Sequence, residues 1–235
     1  MRKIFTLFMA ICLGYAVQAQ SSITLEDFTV KGTFRAERIG GLKPSALNGE
    51  RYTVLTPSRR QVLEYSYKTG ALIDTVIDLD RLEGSDGIRI DDYSVNAQGT
   101  WMLIQSNTVP IYRRSFTAQY YIYEFRNKDF MPLSENGAQS VATFSPAGNK
   151  IAFVRNNNIF IHDLRFHSEL QITKDGKMNH IINGMPDWVY EEEFSFNRAF
   201  EWAPDGSAIA YIKFNESAVR EYDMATYRGI YPENY

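Results

Sequence analysis

A turn motif that recurs about every fifty residues is the strongest constraint on how this chain can fold. Each copy ends in a glycine that is followed by a short apolar run. The four glycines are Gly49, Gly99, Gly148 and Gly206, and the runs that follow them span residues 52–55, 101–104, 151–154 and 209–212. Short apolar runs bounded by turn residues are typical of buried strands, and self-similarity at this period indicates a repeat architecture.

Two copies of the motif, residues 144–155 and 202–213, agree almost position by position. Both contain an aromatic residue, a small residue, proline, a turn residue, glycine, an apolar strand and a basic residue in the same order. Proline presets φ in such a turn and glycine supplies the corner with positive φ. The pattern therefore predicts that the strand after each turn lies in the buried middle of a small sheet.

Further strands are predicted after polar turns, at residues 159–161 after the asparagines 156–158, and at residues 120–123 after a turn at 115–119. Four short antiparallel strands in each unit of about fifty residues are typical of a β-propeller blade. The fold class predicted here is all-β, with about four blade units of a larger propeller. A stacked β-sandwich is the alternative.

Composition agrees with a folded chain rich in strands. The 235 residues are 44% hydrophobic and 23% charged, and they include 15 Tyr, 15 Phe and 3 Trp, which favour strands. A net charge of -3 argues against a protein held to nucleic acid by phosphate contacts. A chain of this length cannot hold a large scaffold together with a separate catalytic domain. Because few residues follow Gly206, we expect the chain to be a truncated part of a longer protein.

The N-terminus has the pattern of a secretory signal peptide at residues 1–19. Arg2 and Lys3 precede an uncharged run, residues 4–17, which is shorter than a membrane-spanning helix requires, and Ala19 ends a cleavage-like triplet. Residues 20–235 would form the mature chain. The single cysteine, Cys12, lies in the leader, and its use as a lipid attachment site is a minor alternative. An exported chain without disulfides suggests a bacterial protein that is periplasmic, on the cell surface or secreted.

The sequence contains no recognisable complete active site. It has no Gly-x-Ser-x-Gly elbow, no phosphate-binding loop and no His-Glu-x-x-His motif, and the mature chain has no cysteine. Its three histidines lack metal-ligand spacing, and His162 is interpreted as a turn residue. We therefore expect no catalytic residue, cofactor or metal in this chain.

Residues 186–196 combine three consecutive acids, Glu191, Glu192 and Glu193, with four aromatic side chains. Three consecutive acids are usually a solvated face. Aromatic neighbours instead suggest partial burial, where a carboxylate requires compensation for its lost hydration. Since no Lys or Arg lies next to the acids in sequence, a pair of them could bind a small ammonium group through charge-assisted hydrogen bonds.

A second candidate segment contains the paired arginines Arg113 and Arg114 after a predicted strand. Such a pair most often protects a sheet edge from further pairing. Alternatively, one arginine binds a carbonyl or carboxylate oxygen of a ligand in the same cavity as the acids. Spacing in the sequence does not choose between these alternatives.

Three segments have a specific sequence beyond the repeat: Asp-Trp-Val-Tyr-Glu-Glu-Glu-Phe at 187–194, Tyr-Arg-Arg-Ser-Phe-Thr-Ala at 112–118, and Ile-Asp-Asp-Tyr-Ser-Val at 90–95. Together they resemble the propeller of the dipeptidyl peptidase IV family of serine exopeptidases. The similarity runs in order from about residue 23 to residue 235. The resemblance implies an eight-bladed propeller packed on a C-terminal α/β-hydrolase domain. Together they would release dipeptides with proline or alanine in second position from peptide N-termini.

The resemblance also implies roles for individual residues. Glu192 and Glu193 match the two acids that hold the α-ammonium group of the substrate, Arg113 matches the residue that binds the carbonyl of its first amino acid, and Glu191 would make no contact with it. The catalytic triad would lie beyond Tyr235, so the chain alone is predicted to be inactive.

The expected partners are peptides with a free N-terminus and the missing hydrolase domain, with no nucleic acid. Homodimerisation of the full-length protein is left open. The alternative function is a non-catalytic secreted propeller that binds peptide N-termini or a protein partner.

Overall fold

The computed structural model describes residues 23–35, 41–46, 48–222 and 224–234. The predicted signal peptide lies outside these residues. The chain divides into one unit up to Gly40 and a second from Gly41 onward. The described part of the first unit contains helix α1, Leu25–Thr29, with Thr24 as its N-cap. Thr24 and Asp27 form a reciprocal capping box, in which each side chain accepts a hydrogen bond from the backbone N–H of the other.

Most of the second unit consists of three four-stranded antiparallel sheets in which each strand pairs with the next along the chain. The first sheet contains β1 Lys43–Pro44, β2 Arg51–Leu55, β3 Gln61–Ser66 and β4 Leu72–Asp78. The second contains β5 Asp92–Val95, β6 Trp101–Pro110, β7 Phe116–Glu124 and β8 Phe130–Pro132. The third contains β9 Ser140–Phe144, β10 Lys150–Arg155, β11 Asn158–Asp163 and β12 Ser168–Gln171. A 3-10 turn at Leu79–Arg81 follows β4.

After the third sheet the strands form two-stranded ladders. They pair β13 Ile181–Asn183 with β16 Lys213–Asn215, β14 Phe200–Trp202 with β15 Ile209–Tyr211, and β17 Ala225–Tyr227 with β18 Pro232–Asn234. Helix α2, Trp188–Phe194, lies between β13 and β14. The fourth repeat is thus built differently from the first three. It contains a helix, which the prediction of an all-β chain did not include, and the three consecutive acids lie on that helix.

The predicted position of the strand after each glycine turn is confirmed in the three complete sheets. These strands are β2, β6 and β10, and each is an inner strand with a neighbour on both sides. Gly99, Gly148 and Gly206 have positive φ values of 64°, 68° and 70°. Gly49 does not have positive φ; there, the backbone N–H of Arg51 donates to the carbonyl of Asn48 at 3.0 Å.

One predicted turn is wrong. Residues 115–119 were expected to be a turn, but β7 begins at Phe116 and pairs with β6 as far as Pro110. The chain reverses at residues 111–115, where the backbone N–H of Ile111 donates to the carbonyl of Ser115 at 2.8 Å. The β6–β7 hairpin is longer than expected because both strands continue beyond their apolar segments.

Three apolar clusters join successive parts of the second unit. The first connects sheets one and two through Val62, Ile77, Leu79, Ile88, Ile90, Tyr93, Met102, Ile104 and Tyr123. The second connects sheets two and three through Leu103, Ala118, Tyr120, Ile122, Leu133, Ile151, Phe153, Phe160 and Leu164. The third connects sheet three to the following segment through Val141, Ala152, Val154, Ile159, Met185 and Phe200. Consecutive four-stranded meanders joined in this way are blades, and the prediction of an all-β, partial β-propeller is confirmed.

His162 differs from its predicted environment. It lies within β11 rather than in a turn, and it is only 6% exposed. Among the described residues, no helix is long and apolar enough to cross a membrane, and no group of three or more His, Cys, Asp or Glu side chains could hold a metal ion.

Candidate functional site

The acid block is displayed by helix α2, whose two ends are defined by local interactions. Asp187 is the N-cap, and its carboxylate accepts a hydrogen bond from the backbone N–H of Tyr190 at 2.8 Å. Ser195 is the C-cap in the left-handed conformation, and its N–H donates to the carbonyl of Glu191 at 3.1 Å. An aspartate N-cap three residues before Tyr190, and aromatic residues at the i, i+4 positions 190 and 194, are helix signals that the sequence interpretation missed.

The three consecutive acids lie in three different environments. Successive residues on an α-helix point in directions about 100° apart, so adjacent side chains cannot share one face. Glu191 is buried with 1% exposure, Glu192 is half-buried and Glu193 is exposed. The block is therefore neither one solvated face nor one buried cluster.

Glu191 binds the turn between β6 and β7. Its Oε1 accepts hydrogen bonds from the backbone N–H groups of Arg114 at 2.7 Å and Ser115 at 2.9 Å. Two backbone donors thus compensate the buried carboxylate for its lost hydration. The sequence interpretation gave Glu191 no contact with substrate and did not anticipate this structural contact, because the donors lie 77 and 76 residues away in the chain.

Two further hydrogen bonds hold the same turn against the end of α2. Arg114 Nη2 donates to Ser195 Oγ at 2.9 Å, and Asn197 Nδ2 donates to the carbonyl oxygen of Arg114 at 2.9 Å. Arg114 therefore points toward the C-terminal end of the helix. Neither Ser195 nor Asn197 was a candidate residue in the sequence.

Arg113 and Glu192, two of the three predicted site residues, are in contact. Arg113 Nε lies 3.0 Å from Glu192 Oε2, and the side chains are 71% and 22% exposed. The sequence left open whether an arginine and the acids lie together, and the structure brings them together. The absence of a basic neighbour in the sequence was therefore misleading, because the fold supplies one. Glu193, the third predicted residue, is exposed on the following position of the helix.

The aromatic residues around the acids do not form the apolar wall that the sequence suggested. Trp188, Tyr190 and Phe194 are 55%, 43% and 63% exposed. Tyr190 packs on Phe194 and on the buried Phe214, with ring centroids 5.1 and 4.9 Å apart. Tyr190 thus packs helix α2 against strand β16, whereas the side chains of Trp188 and Phe194 are largely exposed to solvent.

An open cleft of about 500 Å³ lies beside the same turn. Its lining includes Tyr112, Glu216, Val219 and Tyr222 but neither Arg113 nor the acids of α2. Burial, and then the nearby charge of Asp187, raise the pKa of the Glu216 carboxyl. Glu216 was not among the candidate site residues predicted from the sequence.

Comparison with known proteins gives concordant results. Residues 96–235, more than half of the chain, match the model of the dipeptidyl peptidase IV (DPP IV) N-terminal region. The chain is 45% identical over 127 residues to a probable dipeptidyl-aminopeptidase B of Emericella nidulans, covering 52% of this chain and 14% of that protein. It is 39% identical over 133 residues to dipeptidyl peptidase 4 of Felis catus, covering 55% and 17%.

A solved structure supports the same assignment. The crystal structure of Porphyromonas gingivalis dipeptidyl peptidase 4 superimposes with a TM-score of 0.81 at 38% identity, covering 91% of this chain and 30% of that one. The chain spans less than a fifth of the two curated relatives. With the family model matched and these relatives being dipeptidyl peptidases, the chain belongs to the dipeptidyl peptidase IV family and corresponds to part of its N-terminal region.

Proposed function

We propose that this chain is the substrate-recognition part of a serine exopeptidase that releases N-terminal dipeptides, X-Pro or X-Ala, from peptides. Glu192 and Glu193 bind the α-ammonium group of the substrate, and Arg113 binds the carbonyl oxygen of its first residue. The observation that carries the proposal is the 3.0 Å contact between Arg113 and Glu192, which brings two segments 79 residues apart into one site.

The charges at this site suit an amino terminus. A peptide α-amino group has a pKa of about 7.7 to 8.0 and is largely protonated at neutral pH. It can therefore donate charge-assisted hydrogen bonds to Glu192 and Glu193. Arg113 then turns from Glu192 toward a substrate oxygen. Because Arg113 is 71% exposed, its ion pair with Glu192 is weak, and exchanging it for the substrate costs little.

The same arrangement explains why an enzyme built on it would remove dipeptides. Once the ammonium group is held by the acids on α2, the distance from this anchor to the reacting serine of the hydrolase domain selects the bond that is cleaved. A peptide with additional residues at this end would carry its ammonium group farther from the bond after the same second residue, so anchoring that group would bring a different bond to the serine. Cleavage then follows the second residue.

Substitution of the acids in the full-length protein tests this function. Each of Glu192→Gln and Glu193→Gln removes a charge-assisted contact of about 1.5 to 3 kcal/mol, so kcat/KM for a Gly-Pro chromogenic substrate should fall roughly 10- to 150-fold. Glu201→Gln, at an acid whose side chain is 72% exposed and pairs with Arg198, is the matched control and should change kcat/KM less than about threefold.

Two results would contradict parts of the proposal. Unchanged kcat/KM in both acid variants would remove the acids from substrate recognition. Binding of Gly-Pro peptides without release of dipeptide by the full-length protein would favour the non-catalytic propeller instead.

Export is part of the same proposal. It is supported by Arg2, Lys3 and the uncharged run that follows them. When the full-length protein is produced in a bacterial host with its own leader, its mature N-terminus should begin after Ala19. An N-terminus that retains the leader on the soluble product would contradict export.

A further inference from the structure

We propose that Glu191 is a positioning residue whose buried carboxylate ties the β6–β7 turn to helix α2 and thereby sets where Arg113 stands relative to Glu192. This inference rests on the proposed function of Arg113 and Glu192. It gives the innermost acid of the block a role distinct from that of its neighbours, since Glu191 acts through the turn and not on the substrate.

The hydrogen bonds of Glu191 orient the backbone next to Arg113. One oxygen of Glu191 accepts from two consecutive backbone N–H groups, those of Arg114 at 2.7 Å and Ser115 at 2.9 Å. The Arg114 N–H belongs to the peptide unit that begins at the carbonyl of Arg113, and a peptide unit is planar. By accepting a hydrogen bond from this N–H, Glu191 orients the peptide plane that joins Arg113 to Arg114.

Burial makes the hydrogen bonds of Glu191 difficult to replace. Glu191 is 1% exposed and Ser115 is 4% exposed, so water cannot readily replace the carboxylate as the acceptor. A buried N–H without a partner is costly, and this cost favours the one turn conformation in which both groups reach Glu191. The contacts of Ser195 and Asn197 with Arg114 help to hold the turn, but Ser195 is exposed and Asn197 is half-buried.

Arg113 is positioned by its backbone more than by contacts of its side chain. Its side chain is 71% exposed, so packing does not fix the guanidinium group. The position of Arg113 depends instead on the backbone from which the side chain extends. Because Glu191 and Glu192 are adjacent on α2, the acid that holds this backbone and the acid that meets Arg113 move as one element.

The test compares two substitutions of Glu191 in the full-length protein with a Gly-Pro chromogenic substrate. Glu191→Gln keeps an oxygen acceptor in place and should leave KM within about threefold of wild type. Glu191→Leu keeps much of the volume but removes the acceptor, and it should raise KM about tenfold or more with kcat changed less than about threefold. Glu135→Leu, at an exposed acid, is the control for adding leucine and should leave both constants unchanged.

A double-mutant cycle separates positioning from a general loss of structure. In the Arg113→Ala background, Glu191→Leu should raise KM by less than about threefold, because the residue it positions is gone. The full effect of Glu191→Leu in that background would overturn the inference, as would equal KM increases in the Gln and Leu variants.

Glu191→Asp replaces the leucine variant if Glu191→Leu does not fold. Aspartate is shorter by one methylene, so its acceptor oxygen lies farther from the turn, and KM should rise to an intermediate value. Wild-type KM in Glu191→Asp would also overturn the inference.

The single variants distinguish failure of this inference from failure of the proposed function. If Arg113→Ala and Glu192→Gln leave KM unchanged, the proposed function fails. If they raise KM while Glu191→Leu does not, the proposed function stands and only the positioning role of Glu191 is refuted.

Discussion

His162 is a buried ionisable side chain in the middle of the third sheet. It is 6% exposed. Burial, and then the nearby His167, whose ring centroid is 6.3 Å away, lower the pKa of His162, while the charges of Glu169 and Asp163 oppose this shift. The folded protein therefore favours the neutral imidazole.

The lowered pKa predicts acid sensitivity. Unfolding restores the ordinary pKa of about 6.5, so as pH falls below this value the unfolded state takes up a proton more readily than the folded state, and stability decreases. His162→Leu removes this linkage. Between pH 7.5 and 5.5, the free energy of unfolding measured with denaturant should decrease less in His162→Leu than in wild type.

The exposed residue His180 provides the control for this experiment. His180→Leu should keep the pH dependence of the wild-type protein. If His162→Leu and wild type lose equal stability over the same pH interval, His162 does not contribute to the acid sensitivity.

At the scale of elements, the glycine turns connect neighbouring blades as well as strands. In each of the last three turns the glycine N–H donates to the carbonyl three residues earlier, as from Gly148 to Ser145 at 2.8 Å. Asn96, in the turn of the second sheet, also donates from Nδ2 to the carbonyl of Gly148 in the third at 2.9 Å. The equivalent turns of the second and third sheets are therefore in direct contact.

Two equivalent glycines should differ in their response to alanine. Gly148 and Gly206 have nearly the same positive φ, so Ala at either position carries a backbone strain of about 1 to 2 kcal/mol. A Cβ at Gly148 would also overlap Oε1 of Gln98 and lie 2.7 Å from Asn96 Nδ2, whereas at Gly206 the nearest atom is Pro146 Cδ at 4.0 Å. Gly148→Ala should therefore reduce the free energy of unfolding by about 1 kcal/mol more than Gly206→Ala, because the Gln98 side chain must move aside and Asn96 must give up its hydrogen bond to Gly148.

Denaturant unfolding of the two variants measures this difference directly. The second variant is the matched control, since it shares the turn and the backbone strain but not the neighbour. Equal losses of stability would mean that the contact between the turns contributes nothing.

At the scale of the whole molecule, the candidate site joins parts of the chain that no single sheet contains. Arg113 lies in the β6–β7 turn of the second sheet, and Glu192 lies on the helix that follows β13. The apolar clusters between successive sheets hold these parts in register. The geometry of the site consequently depends on packing across the third sheet as well as on the helix and the turn.

Much of the candidate site could be predicted from sequence because its residues are concentrated in two short motifs. Arg113, Glu192 and Glu193 were identified through those motifs and the family resemblance, and the structure places the first two in contact. The roles of Glu191, Ser195 and Asn197 in holding the turn could not be predicted. Their partners lie more than 75 residues away, and sequence spacing carries no information about such distant contacts.

By itself, the sequence determined the repeated strands and the three consecutive acids. It also determined that, in each complete sheet, the strand after the glycine turn is an inner strand. These features are local, because turn chemistry and strand propensity act over a few residues. The helix of the acid block also has local signals, in the Asp187 N-cap and the aromatic pair at 190 and 194, although they were missed. Only the tertiary structure decided that the three carboxylates lie in different environments and that Arg113 is the cation beside Glu192. Those outcomes depend on which surfaces the packed sheets bury, and burial is a property of the folded chain as a whole.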